Sequence, residues 1–139
     1  MNPILSIPGR QPAGKPRLPY SKLQVLLALD GNHLTPPLLS AALAHCAPLT
    51  DRLDILLVNA PRAPTSLLSV MLLRLEHSGI DYRLASSEGE LGEQILEYLK
   101  RFLGITTVLV DKLTPLEQTI GPSLEHLRAK GYRFVPISD

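Results

Sequence analysis

Apolar positions along the chain come in two alternating rhythms. From Leu23 to Leu29 they form a near-continuous run, the pattern of a strand buried on both faces. Asp30-Gly31 ends that run. Thr35 can then cap a helix with Pro36 at its first position, and Leu38, Leu39, Ala42, Leu43 and Cys46 recur at helical spacing until Pro48. Leu53 to Val58 predicts a second buried strand. Thr65 is placed to cap a second helix, whose stripe is Leu67, Leu68, Met71, Leu72 and Leu75 and whose stop is Gly79.

Asp81 to Ala85 predicts a third strand, more polar and so nearer an edge. Ser87 and Glu90 have the spacing of a capping box for a helix buried through Leu91, Ile95, Leu96, Leu99 and Leu103, with Glu97 able to pair with Arg101 and Gly104 as terminator. Ile105 to Val110 predicts the fourth strand. Asp111 to Gly121 reads as irregular, Pro122 as the start of a last helix ended by Gly131, and Tyr132 to Ile137 as the fifth strand. Five strands alternating with four helices predict an α/β fold, a three-layer open parallel sheet of Rossmann-like type.

Before this domain, which the pattern assigns to residues 22–139, stands an arm of different composition. Residues 1–20 hold five of the thirteen prolines, and residues 1–22 contain Arg10, Lys15, Arg17 and Lys22 with no acid. Residues 1–21 therefore read as a basic, Pro-rich arm, extended or disordered. The remainder carries ten basic against thirteen acidic side chains, so the overall net charge of +1 conceals a basic leader on a mildly acidic domain.

Composition excludes several functions. Aromatics are 4% with no Trp, leaving few stacking platforms, so no specific nucleic-acid partner is expected. No apolar run approaches the roughly 20 residues that span a bilayer, so no membrane partner is expected, and a cytoplasmic protein is the default. Cys46 is the only cysteine and sits on an apolar stripe. There is no dinucleotide or P-loop glycine pattern, no nucleophile elbow and no metal-ligand cluster, so neither an activated catalytic residue nor a metal site is identified. His33, close to Asp30, is the one histidine placed for ligand contact.

In open parallel sheets ligands bind beyond the carboxyl ends of the strands. The stretches there are Asp30-Gly31-Asn32-His33, Asn59-Ala60-Pro61 and Asp111-Lys112-Leu113. "VLLALDGN" resembles the opening strand of the universal stress proteins, and "SSEGELGEQILEYLKRFLGITTVLV" is similar to their middle segment. The resemblance covers about residues 22 to 139. It implies a strand order of 3-2-1-4-5, homodimers formed through the last strand, and ATP or AMP binding in one branch. It carries over Asp30 as a nucleoside contact, with Gly31 and Asn59 beside it, and Asp111, Lys112, Gly121 and Ser123 on the phosphate side.

The phosphate side departs from the family pattern. A Gly-x-x-Gly is expected after strand four, and "VDKLTPLEQTIGPSLEHL" has none; only Gly121 and Ser123 echo the final Gly-Ser. Glycines let backbone amides approach phosphates. Each such charged hydrogen bond is worth about 1.5–3 kcal/mol. Losing two weakens binding by roughly 10² to 10⁴ fold. The resemblance, so altered, implies a dimeric regulatory or interaction module, with a protein partner, no tightly held cofactor and no enzymatic role. The alternatives are an ATP- or AMP-binding protein with an altered phosphate loop and slow ATP hydrolysis, and, third, an enzyme acting on a small ligand at the same junction.

Overall fold

The computed structural model describes residues 24–60 and 66–138. Residues 1–21, read above as an arm, and Thr65, read as a helix cap, lie outside this range.

Five strands, β1 (Val25–Asp30), β2 (Arg52–Val58), β3 (Asp81–Ser87), β4 (Thr107–Val110) and β5 (Arg133–Pro136), form one sheet in the order β3-β2-β1-β4-β5. All pairings are parallel. Four helices connect them: α1 (Pro36–Cys46), α2 (Ser66–His77), α3 (Leu91–Arg101) and α4 (Thr114–Ala129). The α/β class and the 3-2-1-4-5 order are those expected.

Alternation along the strands divides the core in two. Val25, Leu27 and Leu29 of β1 pack with Leu53, Ile55 and Leu57 of β2 under α1 and α2. Leu26 and Ala28 pack with Leu56 and Val58 under α3 and α4. Every residue from Val25 to Leu29 is at most 1% exposed, because β1 has neighbours on both edges and both faces. α1 begins as its sequence dictates: the Thr35 hydroxyl accepts from the Leu38 amide (3.2 Å) and Pro36 is the first helical residue. Such a cap stabilises by about 1 kcal/mol.

The sequence reading needs four corrections. Ser87 does not cap α3; it is the last residue of β3, and Glu90 is the N-cap, its carboxylate accepting from the Gly92 (3.0 Å) and Glu93 (2.8 Å) amides. Each carboxylate oxygen of Glu90 satisfies one orphan amide of the first turn. The last helix starts at Thr114, not at Pro122; Pro115 supplies the fixed φ of a first turn. Pro122 instead causes a break inside α4, where Ile120 leaves helical geometry (φ −129°, ψ 31°). Glu97 pairs with Lys100 (3.7 Å) rather than with Arg101. Finally, Leu103, read as part of the buried stripe of α3, lies past the helix end at Arg101 and is 74% exposed.

One buried charge interrupts the apolar core. Asp54 sits on the face of β2 shared with Leu56 and Val58, directly beside Arg83 of β3. Its Oδ2 accepts a hydrogen bond from the Tyr98 hydroxyl and pairs with Arg83 Nε (3.2 Å). The Arg83 guanidinium in turn lies 4.5 Å over the Phe102 ring, and Phe102 contacts Tyr98 at a centroid distance of 4.5 Å. A carboxylate in a core is costly unless paired and hydrogen-bonded. Here both partners are present, and together they tie β2, β3 and α3.

Two stability predictions follow from these buried groups. Tyr98→Phe removes one of the two partners of Asp54 and should lower unfolding free energy by about 1–3 kcal/mol in urea titrations; an unchanged midpoint would show Asp54 to be solvated. Alkaline pH is the second lever. Burial pushes the Cys46 thiol from 9.0 up to about 12, and burial followed by the Asp54 hydrogen bond raises the Tyr98 hydroxyl as well. Both groups are neutral in the fold and ionise more readily once unfolded, so their stabilisation is complete below about pH 9 and is lost as pH rises toward 12. Between about pH 8 and about pH 10.5 the Cys46 contribution alone falls by about 2 kcal/mol. Cys46→Ala should therefore flatten the alkaline loss of stability measured by chemical denaturation at the two pH values.

Candidate functional site

Three strand ends converge at the carboxyl edge of the sheet, and each is closed by its own short-range chemistry. At the end of β1, Asp30 accepts the Asn32 amide at Oδ1 (2.9 Å) and pairs with His33 Nδ1 at Oδ2 (3.0 Å). The first contact makes a single 3₁₀ turn over Gly31–His33. The second places an exposed imidazole beside the carboxylate. Together they offer an acceptor and a titratable ring to a polar ligand group.

At Gly31 the chain leaving β1 passes close against the chain leaving β2. A Cβ built there would lie 2.2 Å from the Asn59 carbonyl oxygen, a distance no side chain tolerates. The chain crosses its neighbour at this point because nothing projects from Gly31. Asn59 itself has positive φ (60°), a conformation asparagine adopts more readily than most residues. Its backbone amide donates to the Ser87 carbonyl (2.8 Å). Its side chain then bonds Gly89 in both directions, Nδ2 to the carbonyl (2.9 Å) and Oδ1 from the amide (3.1 Å). The Asn59 carboxamide thus acts as one more rung between β2 and β3, and both of its polar atoms are engaged.

At the end of β4 the link to α4 is only Asp111, Lys112 and Leu113. Asp111 is held from the other side by Ser138, whose amide donates to the Asp111 carbonyl (3.0 Å) and whose hydroxyl donates to its carboxylate. Lys112 is exposed. α4 opens without a side-chain cap, since its N-cap is Leu113. The Ser87 hydroxyl, at the end of β3, is a buried polar atom with no hydrogen-bond partner among the described residues.

Asp30, Gly31 and Asn59 are therefore brought together, and Asp111 with Lys112 ends β4, which neighbours β1 on the opposite side from β2. Gly121 and Ser123 do not join them. Both lie in the interior of α4, seven and nine residues past its start at Thr114, which is about 10 Å or more down the helix axis. There Gly121 lines a shallow groove with Glu117, Pro122, Leu124, Glu125 and Arg128. Among the described residues no three His, Cys, Asp or Glu side chains converge as a metal site.

The parts played by Gly89 and Ser138 were not visible in the sequence. "SSEGE" signals a turn without naming its partner, and Ser138 in "PISD" belongs to no pattern. Their roles arise only when β3 and β5 are laid beside β2 and β4.

No family model matches this chain, and no curated protein matches it. Among solved structures, it is similar to the crystal structure of a protein from the universal stress protein family from Burkholderia pseudomallei, with a TM-score of 0.52 and 18% sequence identity over 84% of this chain and 96% of that chain. At that identity the likeness shows the fold, and the fold of this chain is that of a universal stress protein.

Proposed function

We propose that this chain is a universal stress protein-like regulatory or interaction module of the cytoplasm that works as a homodimer and does not hold ATP tightly. The observation that carries the reading is the link after β4. Three residues, none a glycine, lead directly into α4, and Asp111 is bonded to Ser138 rather than open to a ligand. A triphosphate placed beyond β1 and β4 would meet the carboxylates of Asp30 and Asp111 and few main-chain donors. A second reading, an ATP or AMP site with an altered phosphate loop, draws on the uncapped start of α4 beside Lys112, where a phosphate could take orphan amides.

Thermal unfolding separates the two. A ligand present at about 100 times its Kd stabilises by about 2.7 kcal/mol, roughly 8 °C or more for a domain of this size. Millimolar ATP or AMP with magnesium should give no such rise. A rise that disappears in Asp30→Ala and Lys112→Ala would overturn the reading in favour of the nucleotide site these residues would form.

The dimer is proposed through β5, an edge strand whose outer backbone groups would pair with a second copy across a two-fold axis. Light scattering at tens of micromolar should return twice the chain mass; a monomer refutes the pairing. The opposite edge, β3, carries Leu84, an exposed apolar side chain. Loss of the dimer in Leu84→Glu would place the contact at β3 instead.

A further inference from the structure

Among the described residues β3 closes one side of the sheet, so half of its backbone groups have no strand to bond. Hydrogen bonds show which half. The Asp81 amide donates to the Asp51 carbonyl (2.9 Å) and the Ser87 carbonyl accepts from the Asn59 amide (2.8 Å), both on the β2 side. Alternation then turns the backbone groups of Asp81, Arg83, Ala85 and Ser87 inward and those of Tyr82, Leu84 and Ser86 outward. None of these three is charged or a proline, the usual guards of an exposed edge.

Their side chains share the face that α2 covers. Tyr82 packs against the α1 and α2 core, and its hydroxyl donates to Glu76 of α2 (3.1 Å). Leu84, the middle residue of the strand, is 42% exposed. On α2, Leu73 stands one turn before Glu76 and is 52% exposed. From Tyr82 to Leu84 the strand advances ~6.6 Å, which on a helix running the other way is about four residues back from Glu76. Leu84 therefore lies within a turn of Leu73.

We infer that the β3 edge is an interface between copies of this chain, in which β3 pairs antiparallel with the partner's β3 about a two-fold axis at Leu84. The strand is its own complement in that register. Leu84 lies opposite the partner's Leu84, Tyr82 opposite the partner's Ser86, Arg83 opposite the partner's Ala85 and Asp81 opposite the partner's Ser87. The whole strand overlaps, every outward amide and carbonyl has a counterpart, and no like charges stand directly opposed. Arg83 comes diagonal to the partner's Arg83, and each guanidinium keeps its own Asp54 carboxylate (3.2 Å). An axis normal to the sheet preserves its faces, so α2 approaches the partner's α2, and Leu73 and Leu84 of both copies lose water together. Few side chains are buried, which suits a weak contact with a Kd on the order of 0.1–1 mM. It stands apart from the β5 pairing, since opposite edges can be occupied at once.

Cross-linking of the full chain tests the register. Opposed Cα atoms of a hydrogen-bonded antiparallel pair stand about 5.5 Å apart, within disulfide reach. With diamide at about 0.2 mM protein, Leu84→Cys should form a disulfide-linked dimer roughly tenfold faster than Ser86→Cys, whose thiols would be four residues out of step, about 13 Å. Adding Tyr82→Cys to Ser86→Cys should restore the fast rate. Wild type, with Cys46 at 1% exposure, is the blank. Light scattering of wild type at about 1 mM should return a mean mass above its value at tens of micromolar. Leu84→Glu should abolish that rise and leave the lower value, which belongs to β5, unchanged. Circular dichroism and thermal midpoints like those of wild type would confirm that the variants fold. Leu84→Cys linking no faster than Ser86→Cys overturns the inference. So does a concentration-dependent rise in mass that persists in Leu84→Glu.

Discussion

Complete enclosure of β1 is the constraint on which the remaining structure depends. Its residues from Val25 to Leu29 are all paired with β2 on one edge, the first three also with β4 on the other, and are packed by helices on both faces. A strand in that position must be apolar throughout, and its polarity must begin at its last residue. Asp30 is that residue. The turn it nucleates, the approach of Gly31 to Asn59 and the cap at Thr35 all occur within six residues because the chain has to leave a crowded sheet and reverse into α1. Shape at the carboxyl edge is therefore set by the exit from β1.

The same parallel arrangement sorts charge. Helices running against the strands place their carbonyl ends at the strand starts, where cations complement the dipole, and their amide ends at the strand finishes, where acids do. Glu90 at the start of α3 and Lys130 at the end of α4 follow this rule. Charge at these two ends is thus a product of helix stabilisation.

The two-sided burial of β1 and β2 and the cap of α1 were legible because each is written within a dozen consecutive residues, whereas the strand order came only from the resemblance to the universal stress proteins. The start of α4 was misread because Gly121-Pro122 looked like a boundary, whereas Thr114-Pro115 was the true opening and the later proline only bends a helix already formed. Asp54 was passed over inside an apolar run. Its partners Arg83 and Tyr98 lie far along the chain and are brought to it by the register of β2 on β3 and by the packing of α3. At the candidate site, Asp30, Gly31 and Asn59 could be placed from strand ends alone. Gly121 and Ser123 could not, because their position depends on how far α4 had already descended.

Cys46 is shut inside the α1 layer, at 1% exposure, with its thiol held protonated by its surroundings. For anyone wishing to attach a fluorophore or spin label, the native protein already behaves as a cysteine-free background. A single cysteine introduced at Leu103 or Leu84 would be the reactive thiol, and the labelled position would report on its own edge of the sheet while the buried sulfur stayed silent.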